Sequence, residues 1–224
     1  MKKRVAAYLI RLGVQKALGL LCYLLGTGFA LYRPGLVYFI VYIAGTLLCS
    51  AILLRRRPET LAARGKVNTD SPVWDKVLLG LFWLVNYFLI YLLAGLGEDG
   101  ARPLSLLFWC GLALCVLSGA LSLWAMLENA YLESTARIQA ERGQTVCRTG
   151  PYAFIRHPTY AAVIVNCIGI YMMFPFWSVL LASCFLCAVI LLRTHKEDQM
   201  LLARLPGYAD YSKMTQYRIL PFVW

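Results

Sequence analysis

Six apolar runs divide the chain, at residues 17–32, 36–54, 77–96, 104–127, 160–174 and 177–192. Short polar stretches separate them. An α-helix needs roughly 20 mostly apolar residues to cross the hydrocarbon of a bilayer, and the first and fifth runs are short for that. The pattern predicts an all-α, polytopic membrane protein of about six transmembrane helices. Pro34–Gly35 and Pro175 mark tight turns between runs, and tyrosine, tryptophan and phenylalanine near several run ends fit an interfacial aromatic belt.

Composition agrees with this pattern. Hydrophobic residues make up 60% and charged residues 15% of the 224 positions, more apolar than one soluble core requires. The net charge of +11 changes the picture only through where the charges fall. Lys2, Lys3, Arg4, Arg11 and Lys16 precede the first run; Arg55, Arg56, Arg57, Arg64, Lys66 and Lys76 lie between the second and third. Arg137, Arg142, Arg148 and Arg156 lie between the fourth and fifth, and Lys196, Arg204, Lys213 and Arg218 follow the sixth. The opposite loops hold only Arg33 and Arg102. The positive-inside rule then puts both termini in the cytoplasm. The basic balance reads as topology and attraction to anionic lipid rather than a nucleic-acid footprint. No small-residue cleavage site follows the N-terminal basic cluster, so this segment is expected to stay in the mature chain.

Of eight cysteines, seven fall within apolar runs and read as small packing residues. Cys184 and Cys187 form a CxxC with no second pair beside it, so no metal site is expected; Cys147 reads as a reduced thiol. Gly95–Gly100 matches GxGxxG literally. It follows an apolar run and carries two acidic residues where a pyrophosphate would lie, so it reads as a turn rather than a dinucleotide loop.

Two regions emerge. Residues 1–127 form a transmembrane scaffold of about four helices with a basic cytoplasmic loop at 55–76, and residues 1–16 are expected to form an interfacial amphipathic helix. Residues 128–224 are denser in polar groups. In this half the last two runs form a hairpin whose ends return to one face. That brings Arg156, His157 and Tyr160 towards Arg193, His195, Glu197 and Asp198.

Pro158 at the first position of a helix leaves backbone donors and the positive end of the helix dipole beside Arg156 and His157, a candidate anion site. Glu197 and Asp198 sit directly after a span, where paired carboxylates need cationic or hydroxyl partners. Arg193, His195 and Lys196 supply such partners locally, which is the plain structural alternative. Tyr208 and Tyr211 are three apart, on one face if helical. Arg218 is a planar bidentate donor suited to orienting an anionic acceptor.

Taken together, these residues resemble the isoprenylcysteine carboxyl methyltransferase family in its shorter prokaryotic-type form. The resemblance runs through Asn129, Arg137–Ile138–Gln139, Arg142–Gly143, Gly150–Pro151–Tyr152, Arg156–His157–Pro158–Thr159–Tyr160, Glu197–Asp198, Leu205–Pro206–Gly207–Tyr208, Tyr211 and Arg218–Ile219–Leu220–Pro221. Arg57–Pro58–Glu59 and Trp74–Asp75–Lys76 add lesser support. Two features depart from the family: Asp198 stands where many members have Glu, and six spans are fewer than in the eukaryotic prenylcysteine enzymes.

The resemblance implies a membrane methyltransferase using S-adenosylmethionine, with Arg156, His157, Pro158, Tyr160, Glu197, Asp198 and Tyr208 around the cofactor. Arg218, Tyr211 and Asn129 are then the candidate catalytic residues. The cofactor's chemistry suits them: a helix start for its carboxylate, an acidic side chain for its ammonium or ribose, tyrosines for adenine and sulfonium. The partner is a lipophilic or lipidated acceptor entering from the bilayer. A prenylcysteine-type carboxylate, a phospholipid amine, an isoprenoid acid or a small thiol all fit an apolar cavity. An ionised carboxylate needs no general base; an amine or thiol would need His157 or His195. The competing readings are an NADPH-dependent membrane reductase of the sterol type, similar to this family at its C-terminal end, and a non-catalytic scaffold or transporter. Against the last, the runs hold almost no ionisable residues.

Overall fold

Every apolar run lies largely within helix, and no strand occurs among the described residues, which are 2–66 and 70–224 of a computed structural model. Met1, where the interfacial helix was expected to start, and residues 67–69 of the basic loop lie outside them.

The first helix, α1 (Lys2–Gly26), departs most from the sequence pattern. The basic flank and the apolar run fuse into one 25-residue helix, because no proline interrupts residues 2–26. It ends at a turn in which Gly28 (φ 64°) and Phe29 (φ 68°) are left-handed. The expected interfacial helix is thus the first half of α1, and Lys16 lies inside a membrane-length helix rather than before one.

Helix α2 (Arg33–Arg56) starts with Pro34 in its first turn, where the missing N–H costs nothing. The short α3 (Pro58–Arg64) follows a break at Arg57. Helix α4 (Val73–Gly97) is continuous but widens at Val85–Leu89 into a π-type turn. Helix α5 (Leu106–Glu128) is capped by Ser105, whose Oγ accepts from the Phe108 N–H at 3.3 Å.

Helices α6 (Pro158–Met173) and α7 (Trp177–Arg204) form the expected hairpin. Helices α1, α2, α4, α5 and α7 are long and apolar enough to cross a membrane. With 16 residues, α6 spans only about 24 Å at 1.5 Å per residue. Helix α7 runs past its apolar stretch to Arg204, so Arg193, Glu197 and Asp198 all ride on one rigid rod. A final short helix, α8 (Tyr208–Met214), folds back beneath it.

Close helix contact explains Gly95 and the Gly111–Gly169 pair. A Cβ on Gly95 would lie 2.3 Å from the Tyr23 carbonyl of α1, and one on Gly169 would lie 2.6 Å from the Gly111 carbonyl of α5. Backbones approach this closely in membranes because packing and polar contacts, not water exclusion, hold helices together. Side chains such as Leu47, Leu48 and Leu181 point outward and are exposed, as lipid-facing residues should be.

Candidate functional site

The polar loop between α5 and α6 is built as a network. Arg137 donates to Glu133 at 2.9 Å and to Glu141 at 2.6 Å; these bonds raise the Arg137 pKa and lower that of Glu141 to about 2. Arg142 donates to Gln139 Oε1 at 2.5 Å and the Ala130 carbonyl at 2.9 Å, and its guanidinium lies 5.2 Å from the Tyr131 ring. Gln139, almost wholly buried, donates to the Tyr131 carbonyl at 2.6 Å.

A second clamp ties this loop to the bundle. Asp75 at the start of α4 is fully buried; it accepts from Arg193 Nε at 2.9 Å and from the Ala136 N–H at 2.9 Å. Arg193 also donates to the Ser134 carbonyl at 2.7 Å. Asp75 and Arg193 thus hold α4, α7 and the loop together. Sequence reading gave Asp75 little weight and no partner, since 118 residues separate it from Arg193.

The centre of the third cluster is Asp198, with no exposed surface. Its oxygens accept from Arg156 Nε and Nη2 at 3.0 Å each, Tyr208 Oη at 2.7 Å and Arg218 Nε at 2.9 Å, and face His157 Nε2 at 3.3 Å. Burial, reinforced by the Asp198 charge, pushes the Tyr208 phenol well above its usual range, so it stays a donor. Arg156 spends its remaining donor, Nη1, on the carbonyls of Ser212, Thr215 and Gln216. The backbone N–H groups of Arg156 and His157 donate to the carbonyls of Tyr217 and Arg218.

This geometry alters three expectations. Part of the anion site ahead of α6 is taken: the C-terminal tail accepts from the Arg156 and His157 N–H groups, and Asp198 with carbonyls between Ser212 and Gln216 satisfies the Arg156 side chain. Asp198 is saturated by protein partners and does not line the central cavity. Arg218 is paired with Asp198 and packed over Trp224 at 4.9 Å; it lines a small separate recess of the tail, not the cavity.

The cavity itself, about 820 Å³, runs from this polar end deep between the helices. Asn129, His157, Pro158, Tyr160, Glu197, Tyr208 and Tyr211 all border it, as does Arg156. Asn129 ends α5 in an Asx-type turn, its Oδ1 accepting from the Tyr131 N–H at 2.9 Å. Tyr211 donates to the Tyr152 carbonyl at 2.7 Å. The His157 and Tyr160 rings stack at 5.5 Å and 2°. Glu197, only partly buried, accepts from the Tyr160 hydroxyl. Tyr152 also borders the cavity, and its buried hydroxyl has no hydrogen-bond partner in the protein. The sequence signalled Tyr152 only within the Gly150–Pro151–Tyr152 motif of the resemblance; an unsatisfied phenol is visible only once packing is known.

The cavity is lined from both halves of the chain, for Tyr8, Lys16, Tyr38, Tyr42, Asn86 and Tyr87 also border it. The N-terminal half is therefore wall as well as scaffold. The sequence pattern had set Lys16 outside the first span, so the scarcity of ionisable residues within the helices was overstated.

Among the described residues, five membrane-length helices and a deep, polar-ended cavity between them define an integral membrane protein. Residues 111–203 match the family model for the isoprenylcysteine carboxyl methyltransferase (ICMT) family, the family that the motifs resemble. This supports a membrane methyltransferase. The matched segment contains α6, most of α5 and almost all of α7, with Arg156, His157, Tyr160, Glu197 and Asp198. No curated protein matches the chain.

Proposed function

We propose that the protein transfers a methyl group from S-adenosylmethionine to a lipophilic acceptor, in the polar half of the central cavity. The observation that carries this reading is the contrast between neighbouring carboxylates. Asp198 is consumed by the fold, whereas Glu197 presents to the cavity a carboxylate with one protein hydrogen bond and room for more.

The residues fit such a methyl donor. Glu197 suits its ammonium or ribose hydroxyls, the orphaned Tyr152 hydroxyl offers a further hydrogen bond, and the stacked His157–Tyr160 pair offers a flat face for adenine. S-adenosylmethionine supplies an activated methyl group on a sulfonium. The protein's part is to position acceptor and donor in line and to exclude water, which provides much of the acceleration in such displacements. Asp198, Arg156 and Arg218 act as positioning residues, pinning the tail and α8 against the α6–α7 hairpin. Asn129 and Tyr211 border the space where the acceptor group would meet the donor. The excess of basic residues on one side supports a cytoplasmic position for this end and for both termini. The acceptor enters from the bilayer, and a carboxylate of the prenylcysteine type is one chemistry it offers.

Ligand-induced thermal stabilisation in detergent tests the reading. S-adenosylhomocysteine at about 100 times its Kd should add about 2.7 kcal/mol to the native state. A response to NADPH with none to S-adenosylhomocysteine would overturn it in favour of a reductase.

A further inference from the structure

The deep end of the cavity carries a polar group that methyl transfer does not use. Lys16 projects from α1, its ammonium donating to the Tyr42 hydroxyl. It lies 3.8 Å from the Tyr42 ring centre and 5.3 Å from that of Tyr87. Tyr42 stacks on Tyr38 at 5.3 Å, and the Tyr38 and Tyr91 hydroxyls bond to each other at 2.8 Å. The π-type turn at Val85–Leu89 sets Asn86 and Tyr87 in the same wall; such turns often occur at functional sites. Among the described residues no carboxylate pairs with Lys16.

A cation within membrane-length helices is costly unless paired, and marks a functional site by default. Aromatic faces and one hydroxyl return part of that cost. An anion would return the rest, and the cavity gives it room. Its route is lipidic: Ile40 and Leu48 on α2 and Val116 on α5 line the cavity and are also exposed on the outer surface of the bundle.

We propose that Lys16, with Tyr42 and Tyr87, binds the anionic group of an amphiphile entering between α2 and α5. As a binding site this stands alone; as an anchor for the methyl acceptor it rests on the proposed function. The anchored group is one that keeps its charge through the reaction. A carboxylate held by an ammonium is a poorer nucleophile, and its methyl ester would leave the lysine unpaired again.

The test uses the intact protein in neutral detergent at about pH 7, where a free carboxylate is ionised, with dodecanoate, dodecanol and acetate as probes. Dodecanoate should raise Tm, while dodecanol and acetate at equal concentration should not. Lys16→Met should weaken dodecanoate binding at least about tenfold, Lys16→Arg should retain it, and both should keep the wild-type response to S-adenosylhomocysteine. Tyr42→Phe, which loses only a hydroxyl, should weaken it less and serves if Lys16→Met does not fold. An equal response to dodecanol removes the anion from the proposal, and an equal response to acetate removes the lipid; either overturns it. So does unchanged dodecanoate affinity in Tyr42→Phe and any folded Lys16→Met. Methylation of dodecanoate itself would make the held anion the acceptor and overturn the assignment of a non-reacting group. A wild-type protein that binds dodecanoate but not S-adenosylhomocysteine sinks the methyltransferase reading and leaves the Lys16 site standing.

Discussion

Replacing Asp198 and Glu197 in turn by their amides should separate a residue that holds the fold from one that holds a ligand. Asp198→Asn keeps one acceptor oxygen but turns the other into an NH2 donor. Whichever way the amide lies, that donor faces an arginine N–H: Arg156 Nε on one side, or Arg156 Nη2 and Arg218 Nε on the other. The Arg156 side chain is 7% exposed, so water cannot take the place of the lost charge, whereas Arg218 at 26% recovers some hydration. Breaking a buried ion pair from one side costs about 3–5 kcal/mol, and Arg156 bears most of it. For a chain of this size that lowers Tm by on the order of 10 °C. Glu197→Gln removes the charge behind one partly buried hydrogen bond from Tyr160, worth about 1 kcal/mol to stability. Its larger effect should fall on S-adenosylhomocysteine, whose affinity drops by roughly ten- to a hundredfold, the 1.5–3 kcal/mol of a charge-assisted contact. Thermal unfolding followed by tryptophan fluorescence, with and without ligand, reads both quantities. A stable Asp198→Asn that no longer binds, beside a destabilised Glu197→Gln that binds normally, would refute the assignment.

Arg193→Ala should destabilise by about 3–5 kcal/mol, because it strands the buried Asp75 carboxylate; a cycle with Asp75→Asn should show non-additivity above 0.5 kcal/mol. Gly95→Ala should lower stability by about 1–3 kcal/mol, since the new Cβ would meet the Tyr23 carbonyl at 2.3 Å, whereas Gly80→Ala, with open space at its Cβ, should be neutral or mildly stabilising. At the opposite end of the bundle, burial raises the pKa of Glu98 above its ordinary value, with Arg102 opposing. A raised acid favours the folded state while protonated, so its contribution is full below the unfolded pKa and is lost as pH rises through the folded one. Tm measured from about pH 4 to 8 should therefore fall less steeply with pH in Glu98→Gln than in the native chain; parallel curves would show that Glu98 titrates alike in both states.

How far the sequence disclosed this protein depended on whether a feature was local. The apolar runs marked the helices because hydropathy is a property of consecutive residues, and the hairpin drew Arg156 and His157 to Asp198 because it has only one way to close. Lys16 was misplaced for the same reason. A hydropathy window starts after the last charge, so a lysine whose stem packs inside the bundle looks like a flank. Nor does a sequence say how donors are apportioned. Arg156 and Arg218 are natural anion ligands by chemistry, yet both are paired with Asp198, a pairing that only three-dimensional packing reveals.

The division of labour between Glu197 and Asp198 follows from helix geometry. Adjacent residues on an α-helix point about 100° apart, so a rod with one side against protein and the next against a cavity must split any acidic pair between them. On α7 the Asp198 direction meets Arg156, Tyr208 and Arg218, and the Glu197 direction meets Tyr160 and the cavity. Arg193 lies four residues before Glu197 on the same helix, near enough to pair with it, but it is turned to Asp75 and crosses the Tyr160 ring at 5.4 Å. Its engagement matters as much as that of Arg156. Were Arg193 free, it would be placed to pair with Glu197 and close that carboxylate to a ligand. If the buried Asp75–Arg193 pair, distant in sequence, keeps Arg193 away from Glu197, Asp75→Asn should cost ligand affinity as well as stability. Restored binding in Asp75→Asn/Arg193→Met, where no cation remains to capture Glu197, would distinguish this from simple loosening of the fold; a double variant that is folded yet still fails to bind would show that the pair acts only through stability.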